Sequence, residues 1–461
     1  MLGQAIAQGG GDVNISKFDK TPNNHYPPGY PAIMSIFMHA IDALIFYKIL
    51  NGLFLLGGLL LFYNIATEIL SNRVLAFILI LFCLLNFHLL QYGSMIMSEV
   101  PFFFFSSVAL LFFIRKEEGH PWFKQYSFYA LLAALVVGYY IRSLGIALVG
   151  ATIITLFIKR RWTPGLALGA GFVALALPWF IRSQQLGGGS YMRQLTMINP
   201  YQPNLGKAGF SDFLTRAGNN FSRYITEEIP SALFPFTEVN YRESGNAGDW
   251  VIGIVLLGLV IFGLFSLKRF RGFFLLYLLF TFIILLLWPD VWVGVRFIVP
   301  IIPILGLGLI NGIYSILQYI FQAAGRSAPV WAMAVLPLLL IPSVNKLHEQ
   351  ASVSLHPAWE NYYSMGEWLR RNAPGDVVVS CGKPALFYLY SRTYTMRYPF
   401  EQNAEKLIQA LEEAQVDYVV IDQVYPNTAR YLLPAIRSYP ERFEQIYHRP
   451  NPDTFLLRFK R

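Results

Sequence analysis

The chain has 461 residues, of which 55% are hydrophobic and only 14% are charged. Its mean hydropathy of +0.45 excludes an ordinary soluble globular protein and indicates one that crosses a membrane several times. The formal net charge is +9, but the Lys and Arg residues stand in short groups between apolar runs, which is typical of cytoplasmic loops rather than of a nucleic-acid-binding surface. Cys83 and Cys381 lie in segments of different polarity, so neither a disulfide nor a cysteine metal site is predicted.

Ten apolar runs are candidates for membrane spans, although several are shorter than the roughly twenty residues that a bilayer requires. The sequence therefore predicts a polytopic α-helical membrane domain over residues 43–344. The predicted spans are 43–66, 74–92, 95–114, 126–140, 144–158, 166–181, 250–267, 272–287, 297–321 and 329–344.

The short loops on alternate sides of these spans differ in charge. One set carries eleven Lys and Arg residues, whereas the other carries only Arg142 and Arg296. Because such residues are enriched in cytoplasmic loops, the first set is predicted to be cytoplasmic. The N-terminal segment, the long loop 183–249 and everything from residue 345 are then on the outer face. The eleven basic residues are Arg73, Arg115, Lys116, Lys124, Lys159, Arg160, Arg161, Lys268, Arg269, Arg271 and Arg326.

Residues 1–42 are predicted to form an outer loop and an interfacial helix. The adjacent prolines of "HYPPGYP" hold residues 26–29 extended and stiff. The run 31–46 is apolar but contains His39 and Asp42, which favours a short helix at the interface. No apolar helix precedes these residues to carry them outward, and although short tails can cross unaided, we expect Met1 to be an internal methionine.

Residues 345–461 predict a small α/β domain on the outer face. The segments "HPAWENYYSMGEWLRRNAP", "NAEKLIQALEEAQ" and "NTARYLLPAIRSYPERF" have helical periodicity, whereas "DVVVSCG", "DYVVID" and "TFLLRFK" are strand-like. Alternating strands and helices favour an α/β arrangement. The domain contains no dinucleotide-binding, P-loop or nucleophile-elbow motif, so no chemistry is predicted there.

Ionisable residues at the outer ends of the predicted spans are the candidates for chemistry. Glu99 stands at the start of one span, and Arg142, Arg182 and Arg296 stand at the ends of others. Charged groups at membrane depth are costly and are functional candidates by default. Guanidinium groups bind phosphate oxygens in a bidentate manner, and a carboxylate can deprotonate a hydroxyl or hold a cation, so together they suit a lipid-borne phosphate.

Each candidate also has a purely structural explanation. An arginine at a helix end can simply extend toward the interface. Glu99 can do no more than interact favourably with a helix dipole. His25 can pair with a loop carbonyl, and Asp12 and Asp19 can be solvated loop residues.

Several segments together resemble the bacterial protein-mannosyltransferase-like and aminoarabinose-transferase-like (PMT-like, ArnT-like) membrane glycosyltransferases of the GT-C superfamily. These segments are "HYPPGYP" with the helix after it, "MSEVPFFFFSSVALLFF", "IRSLGIALVGA", "LPWFIRSQQLGGGSY", "MINPYQPN" and "GVRFIVPIIP". The resemblance runs through nearly the whole membrane region, and the C-terminal domain is similar to the small outer domain of many members. It implies a GT-C-like fold.

The resemblance implies an inverting transfer of one sugar from a polyprenyl-phosphate donor to a lipid, glycan or protein acceptor at the outer face of the bacterial plasma membrane. Glu99 matches the family's second acidic position, where it would assist the phosphate site or a divalent metal ion. Tyr26 stands where the aminoarabinose transferases have a lysine that meets lipid phosphate. Tyrosine carries no charge, so Arg142, Arg182 or Arg296 would supply the positive charge that meets the phosphate. His25 completes the predicted set of phosphate-binding residues.

The family's principal acid lies in an Asp-Glu-like motif shortly before a segment that resembles "LGQAIAQGGG", which begins here at Leu2. The resemblance therefore implies that the chain lacks its first transmembrane helix and the start of the first outer loop, with the acid upstream. If Met1 is the natural start, Asp12 or Asp19 would have to substitute, or the protein is inactive.

Two other classes of function stay open at this stage. A transporter or flippase of a lipid-linked or anionic substrate usually keeps its charges near the bilayer midplane and often shows inverted repeats, whereas these charges stand at one face. A non-catalytic factor for envelope-glycan assembly would use the outer α/β domain to bind a partner.

Overall fold

The computed structural model describes residues 1–41, 43–115, 122–202, 205–235 and 245–461. The chain forms two compact units. The helical unit comprises Asn24–Tyr30 and Ile41–Ala351, and the sheet unit comprises Met1–Asn23, Pro31–Ala40 and Ser352–Arg461.

Helices account for most of the chain up to residue 352. In chain order they are α1 (Leu2–Ala7), α2 (Gly29–Met38), α3 (Leu44–Leu70), α4 (Arg73–Leu84), α5 (Phe87–Gly93), α6 (Glu99–Ile114), α7 (Tyr126–Ile141), α8 (Ile146–Ile158), α9 (Trp162–Gln185), α10 (Ser190–Leu195), α11 (Phe210–Arg223), α12 (Ile229–Leu233), α13 (Ala247–Phe265), α14 (Arg271–Leu287), α15 (Ile302–Ala323), α16 (Val335–Leu338) and α17 (Ile341–Ser352).

Every predicted span coincides with one or more of these helices. In the described part of the chain, five helical segments are long and apolar enough to cross a membrane, and α4 with α5 make a sixth if they count as one span. Four more of the ten predicted spans, at α6, α7, α8 and α14, coincide with shorter apolar helices. The protein is a multi-pass membrane protein.

Two predicted spans are interrupted. The run 74–92 bends by 61° between α4 and α5. At the bend, the Asn86 side chain accepts hydrogen bonds from the backbone of His88 and Leu89 and donates one to the Ala232 carbonyl, so it caps the second helix. The run 329–344 is divided into a short 3₁₀ helix, α16 and the start of α17, because Pro337 and Pro342 lack the N–H groups that a continuous helix requires.

Two segments predicted from the sequence differ in detail from the structure. The predicted interfacial helix 31–46 is instead α2, which ends at Met38, followed by a turn and by α3 from Leu44; Asp42 lies outside the described residues. The predicted long loop 183–249 contains α10, α11, a π-helix at Tyr224–Glu228 and α12. Hydrophobic periodicity predicts the long apolar spans well, but it does not predict the short helices between them.

Helices α13 and α15 pack closely through small residues. A methyl group added at Gly263 would collide with the backbone of Gly308 and Gly312, and one added at Gly308 would lie 2.6 Å from the Val260 carbonyl oxygen. Gly308 and Gly312 are four residues apart, as in the small-xxx-small pattern by which membrane helices approach each other. The Asn311 amide also donates to the Gly263 carbonyl at 2.7 Å.

The sheet unit contains five strands in the order β2-β1-β3-β5-β4. Strand β1 pairs in parallel with β2 and β3, and β5 pairs antiparallel with β3 and β4. Each of the first four strands is preceded in the chain by a helix. The elements are α18 (Pro357–Asn372), β1 (Val378–Ser380), α19 (Pro384–Ser391), β2 (Tyr394–Met396), α20 (Ala404–Glu413), β3 (Tyr418–Ile421), α21 (Leu433–Ser438), β4 (Phe443–Arg449) and β5 (Thr454–Phe459).

The sequence correctly indicates α18, β1, α20, β3, α21 and β5, but it misses α19, β2 and β4. Strand β2 has only three residues, and β4 is an edge strand whose sequence "FEQIYHR" is largely polar. Part of the N-terminal segment also belongs to this unit: the Thr395 N–H of β2 donates to the Ser16 carbonyl, and the Phe18 ring packs edge-on against Tyr394. The boundaries of the two compact units therefore differ from the domain boundaries that the sequence predicts at residues 42 and 345.

The close approach of α13 and α15 can be tested with single methyl groups. We expect Gly263→Ala to lower the free energy of unfolding by about 1–3 kcal/mol, because overpacking forces the helices apart. Gly258→Ala on the same helix is the control, since a methyl group there meets no atom within 4 Å; it should be neutral or slightly stabilising. Thermal unfolding of the detergent-purified chain measures both, and equal effects of the two variants would contradict the packing described.

Candidate functional site

Glu99 is the first residue of α6 and is 1% exposed. A carboxylate in the first turn of a helix is favoured by the partial positive charge of the helix N-terminus. That interaction alone does not compensate a buried charge, which requires pairing with cations or hydrogen-bond donors. The surroundings of Glu99 supply this pairing.

Two guanidinium groups approach the same oxygen of Glu99. Arg142 Nη1 lies 2.6 Å and Arg296 Nε lies 3.4 Å from Glu99 Oε1. Arg142 has an extended backbone immediately after α7, and Arg296 lies in the 3₁₀ turn Val295–Phe297 before α15. The structure thus brings together three charges from separate parts of the sequence, each at the end of a helix.

The three side chains of the cluster Glu99–Arg142–Arg296 differ in their exposure to solvent. The Glu99 and Arg142 side chains are 1% and 9% exposed, whereas that of Arg296 is 42% exposed. One carboxylate and two guanidiniums leave one net positive charge. Within the described residues, neither Glu99 oxygen accepts a hydrogen bond of good geometry, so the carboxylate keeps hydrogen-bonding capacity beyond its ion pairs.

This donor set suits an anion better than a cation. Divalent metal ions prefer several oxygen or imidazole ligands, and here a single carboxylate is flanked by two cations. Among the residues that the structure describes, no group of three or more His, Cys, Asp and Glu is placed to hold a metal ion.

The proline segment contributes to this site by fixing the backbone around it. The Asn24 amide donates to the Gly188 carbonyl at 2.6 Å, and its oxygen accepts from the Ser183 hydroxyl at 2.7 Å. At the other end, a methyl group on Gly29 would lie 2.6 Å from the Tyr140 carbonyl, so only glycine permits this close approach to α7, two residues before Arg142.

A buried hydrogen-bond chain supports the loop before Glu99. The Tyr30 hydroxyl donates to Asn51 Oδ1 at 3.0 Å, and Asn51 Nδ2 donates to the carbonyls of Met95 and Met97, the latter at 2.9 Å. Asn51 is completely buried. Satisfied buried networks of this kind fix one local conformation, so Tyr30 and Asn51 together position the loop that ends at Glu99.

A second buried ion pair supports Arg296. Glu228 is completely buried, and its Oε1 lies 3.1 Å from Arg223 Nε and accepts a hydrogen bond from the Gly294 N–H at 3.1 Å. Arg223 also donates to the Asp290 carbonyl at 2.8 Å. Both contacts hold the segment 290–294, which leads directly into Arg296.

Sequence reasoning missed Asn51, Arg223 and Glu228. Asn51 lies inside a predicted span, where a polar side chain is a signal that could have identified it. Arg223 and Glu228 lie in the predicted loop 183–249, where charged residues are common and carry no such signal. Tyr92 was missed for a different reason, since aromatic residues are frequent in spans; it lies close enough to Glu99, Arg142 and Arg296 to interact with all three charges.

The other predicted site residues have different surroundings. Arg182 lies in the last turn of α9 with its guanidinium 5.2 Å from the centre of the Trp179 ring. The His25 and Tyr26 rings pack edge-to-face with centres 4.4 Å apart, and burial lowers the pKa of His25, which favours the neutral imidazole.

Asp12 and Asp19 belong to the sheet unit. Both oxygens of Asp12 accept from the Asn23 amide at 3.1 Å, and Asp19 Oδ1 accepts from the Thr21 N–H at 3.2 Å. Both carboxylates therefore take part in the local folding of the N-terminal segment.

No protein-family model matches the chain, and no curated protein matches its sequence. Among solved structures, it is similar to ArnT from Cupriavidus metallidurans bound to undecaprenyl phosphate, with 12% identity, a TM-score of 0.61 and coverage of 99% of this chain and 92% of that one. The apo state of the same protein gives 13% identity, a TM-score of 0.59 and coverage of 99% and 91%.

The chain is also similar to an oligosaccharyltransferase from Archaeoglobus fulgidus that is tethered by a disulfide bond to an acceptor peptide containing the NVT sequon. The identity is 12% and the TM-score is 0.58, with coverage of 100% of this chain and 69% of that one. These likenesses show a GT-C fold, as the sequence resemblance implied.

The Glu228–Arg223 pair should be far more important for stability than an exposed pair. We expect Glu228→Ala to lower the free energy of unfolding by about 3 kcal/mol or more, because it leaves the Arg223 charge without its partner. The control is Glu68→Ala, which breaks the exposed ion pair with Arg115 and should cost less than about 1 kcal/mol. Chemical or thermal unfolding in detergent measures both, and similar losses would contradict the importance of the buried pair.

Glu227 should make stability depend on pH. It lies outside the membrane-spanning helices, and burial together with the neighbouring Glu228 charge raises its pKa to about 7, against the opposing effect of Arg223. Since its unfolded pKa is near 4.5, the folded protein binds the extra proton, and its contribution to stability falls as the pH rises through about 7.

We therefore expect Glu227→Gln to be more stable than the unchanged protein at pH 8, with the difference disappearing below pH 4.5. Glu349→Gln, at an exposed position of α17, is the control. Unfolding temperatures measured across this pH range give the comparison, and parallel curves for the protein and its Glu227→Gln variant would exclude the effect.

Proposed function

We propose that the protein is a membrane glycosyltransferase that moves a sugar from a polyprenyl-phosphate donor to an acceptor hydroxyl or amide. The observation that carries the proposal is the cluster Glu99–Arg142–Arg296, with its net positive charge and its transition from buried to exposed. The GT-C fold supports it, and so do the similar structures with undecaprenyl phosphate and with an acceptor peptide.

Arg296 and Arg142 would bind the lipid phosphate. The half-exposed guanidinium of Arg296 can be reached by a ligand, and a guanidinium fork matches two phosphate oxygens. As the bond from the sugar to phosphate breaks, negative charge develops on the departing phosphate. Cations fixed before the reaction stabilise this charge without reorganisation, which is the main contribution that such a site can make.

Glu99 would orient both guanidiniums and contact the acceptor. A carboxylate shared by two arginines holds their side chains in one geometry, which lowers the entropy lost when phosphate binds. The Glu99 oxygens can still accept a hydrogen bond. They are therefore suited to the hydroxyl or amide hydrogen of the molecule that receives the sugar. A divalent metal ion, left open by the sequence, would need ligands beyond this cluster.

The proposal also includes the stereochemistry of the transfer, the kind of glycosyltransferase and the orientation in the membrane. The transfer would be inverting and of the PMT-like or ArnT-like kind, and the site would face the outer side of a bacterial plasma membrane, with the C-terminal domain on that side. The loop charges support this orientation, since the basic loops lie at the helix ends opposite Glu99.

A transporter would use the same charges differently. Transport sites are usually built near the middle of broken spans. Here Glu99 begins α6, Arg142 follows α7 and Arg296 precedes α15. Charges at helix ends favour a reaction at the membrane surface over passage through the bundle.

The proposal is tested by sugar transfer from a polyprenyl-phosphate sugar, using protein produced from its natural reading frame and reconstituted in vesicles. We expect Arg296→Ala and Glu99→Gln each to lower the transfer rate by about 100-fold or more. Arg296→Lys keeps the charge but loses the fork, so an intermediate rate is expected. Assays with and without EDTA report any metal dependence.

The matched control is Arg326→Ala, which removes an exposed arginine on a basic loop. Its rate should equal that of the unchanged protein. Control-level transfer by Arg296→Ala and Glu99→Gln would reject the assignment of the site. Movement of the lipid-linked sugar across the vesicle membrane without transfer would instead identify a transporter.

A further inference from the structure

A second charged site lies at the opposite end of α6. Glu99 begins this helix and Arg115 follows its last residue, which separates them by roughly 24 Å at 1.5 Å per residue. Around Arg115 is a cavity of about 820 Å³ between the ends of α3, α6, α8 and α14. This volume is large enough for a lipid headgroup or a molecule of similar size.

The rim of the cavity is strongly basic. Among the described residues, six cationic side chains and one carboxylate, Glu68, contribute to its lining, and Glu68 is paired with Arg115 at 2.6 Å. These charged residues therefore carry a net charge of about +5 near one opening. The six cationic residues are Arg115, Lys159, Arg161, Lys268, Arg269 and Arg271.

The floor of the cavity is apolar, in contrast to its rim. Phe113, Ile114, Leu156 and Phe273 line it and are buried, whereas the basic residues of the rim are exposed. A cavity with a basic rim and an apolar floor matches an amphiphile that has an anionic head and hydrocarbon chains. It fits a small soluble anion less well, because that ligand would leave uncovered the apolar lining, which also includes the exposed Ile158 side chain.

Phe270 organises two of the cations. Its backbone is in the left-handed region with φ of 61°, which is costly for a residue with a large side chain. The Phe270 ring lies 4.7 Å from Lys159 Nζ and 5.5 Å from the Arg269 guanidinium carbon. The ring thus holds cations from two different loops at the entrance of the cavity.

A residue with a buried hydroxyl group, Thr155, also lines this cavity. Thr155 is 6% exposed, and its Oγ1 has no hydrogen-bond partner among the described residues. Burying a hydroxyl without a partner is unfavourable, so such a group in a cavity points to a ligand that would satisfy it. The N-terminus of α14, at Arg271 and Gly272, also borders the cavity and presents backbone N–H groups suited to an anion.

We propose that this cavity binds the phosphate headgroup of an anionic membrane lipid. The cations of the rim contact the phosphate, the Thr155 hydroxyl donates to one of its oxygens, and the acyl chains cover the apolar floor. Basic pockets between membrane helices bind anionic headgroups by this combination of charge and shape. The loop charges assign this end of the helices to the cytoplasmic leaflet, so the lipid is distinct from the donor at the Glu99 end.

Native mass spectrometry of the detergent-purified chain tests the proposal, with phosphatidylglycerol as the anionic probe and phosphatidylcholine as the zwitterionic one. The test variant is Lys159→Gln with Arg269→Gln, and the control is Arg193→Gln with Arg326→Gln, which removes two exposed cations elsewhere in the helical unit. Each cation near an anionic lipid is worth about five-fold in affinity, so the test variant should bind phosphatidylglycerol about 25-fold more weakly than the control.

A second variant separates the cavity from general surface charge. Thr155→Val keeps the side-chain volume and the net charge but removes the donor, and we expect it to weaken phosphatidylglycerol binding by about ten-fold. Unfolding temperatures confirm that each variant is folded, and binding requires no sugar transfer, so the result is independent of the proposed activity.

The binding measurements either support the lipid site or contradict it. Selective retention of phosphatidylglycerol by the control, with loss in both test variants, supports the proposal. Equal retention of phosphatidylglycerol by the control and by Lys159→Gln with Arg269→Gln would overturn it. Inorganic phosphate at millimolar concentration should not displace the lipid; displacement would show that a soluble phosphate, and not a lipid, is the ligand.

Discussion

The burial of one carboxylate between two guanidiniums is the constraint on which the helical unit's candidate site depends. Glu99 is almost completely buried, and a buried carboxylate requires pairing of the kind that Arg142 and Arg296 supply. The three residues come from α6, the end of α7 and the turn before α15, so pairing them fixes three distant parts of the chain relative to one another. The excess of one positive charge makes this fixed arrangement suited to an anion, which the proposed function requires.

The surrounding structure keeps that arrangement in place. Tyr30 and Asn51 hold the loop before Glu99, and Glu228 holds the segment before Arg296. Gly29 lies against the end of α7 just before Arg142. Each charged side chain thus has its own backbone support. Preorganisation of this kind is what distinguishes a binding site from a chance ion pair.

Charge is distributed differently at the two ends of α6. At the Glu99 end, a carboxylate is balanced by two arginines and the excess charge is small. At the Arg115 end, the described lining of an open cavity has six cations and one carboxylate around an apolar floor. A small excess of positive charge in a buried site favours recognition of one anionic group in one orientation. A large excess of positive charge at an exposed site favours attraction of an anionic surface. The two ends of one helix therefore suit two different ligands.

The sequence by itself determined the elements whose signal is local. Long apolar runs identified the positions of the spans, proline and glycine identified the stiff segment, and charges at span ends identified Glu99, Arg142 and Arg296 as candidates. Only the tertiary structure decided that these three meet, that Asn86 bends one span, and that Asn51 and Glu228 support the site. The reason is physical: hydrophobic periodicity reports the environment along one segment, whereas an ion pair between residues separated by more than a hundred positions depends on how the helices pack.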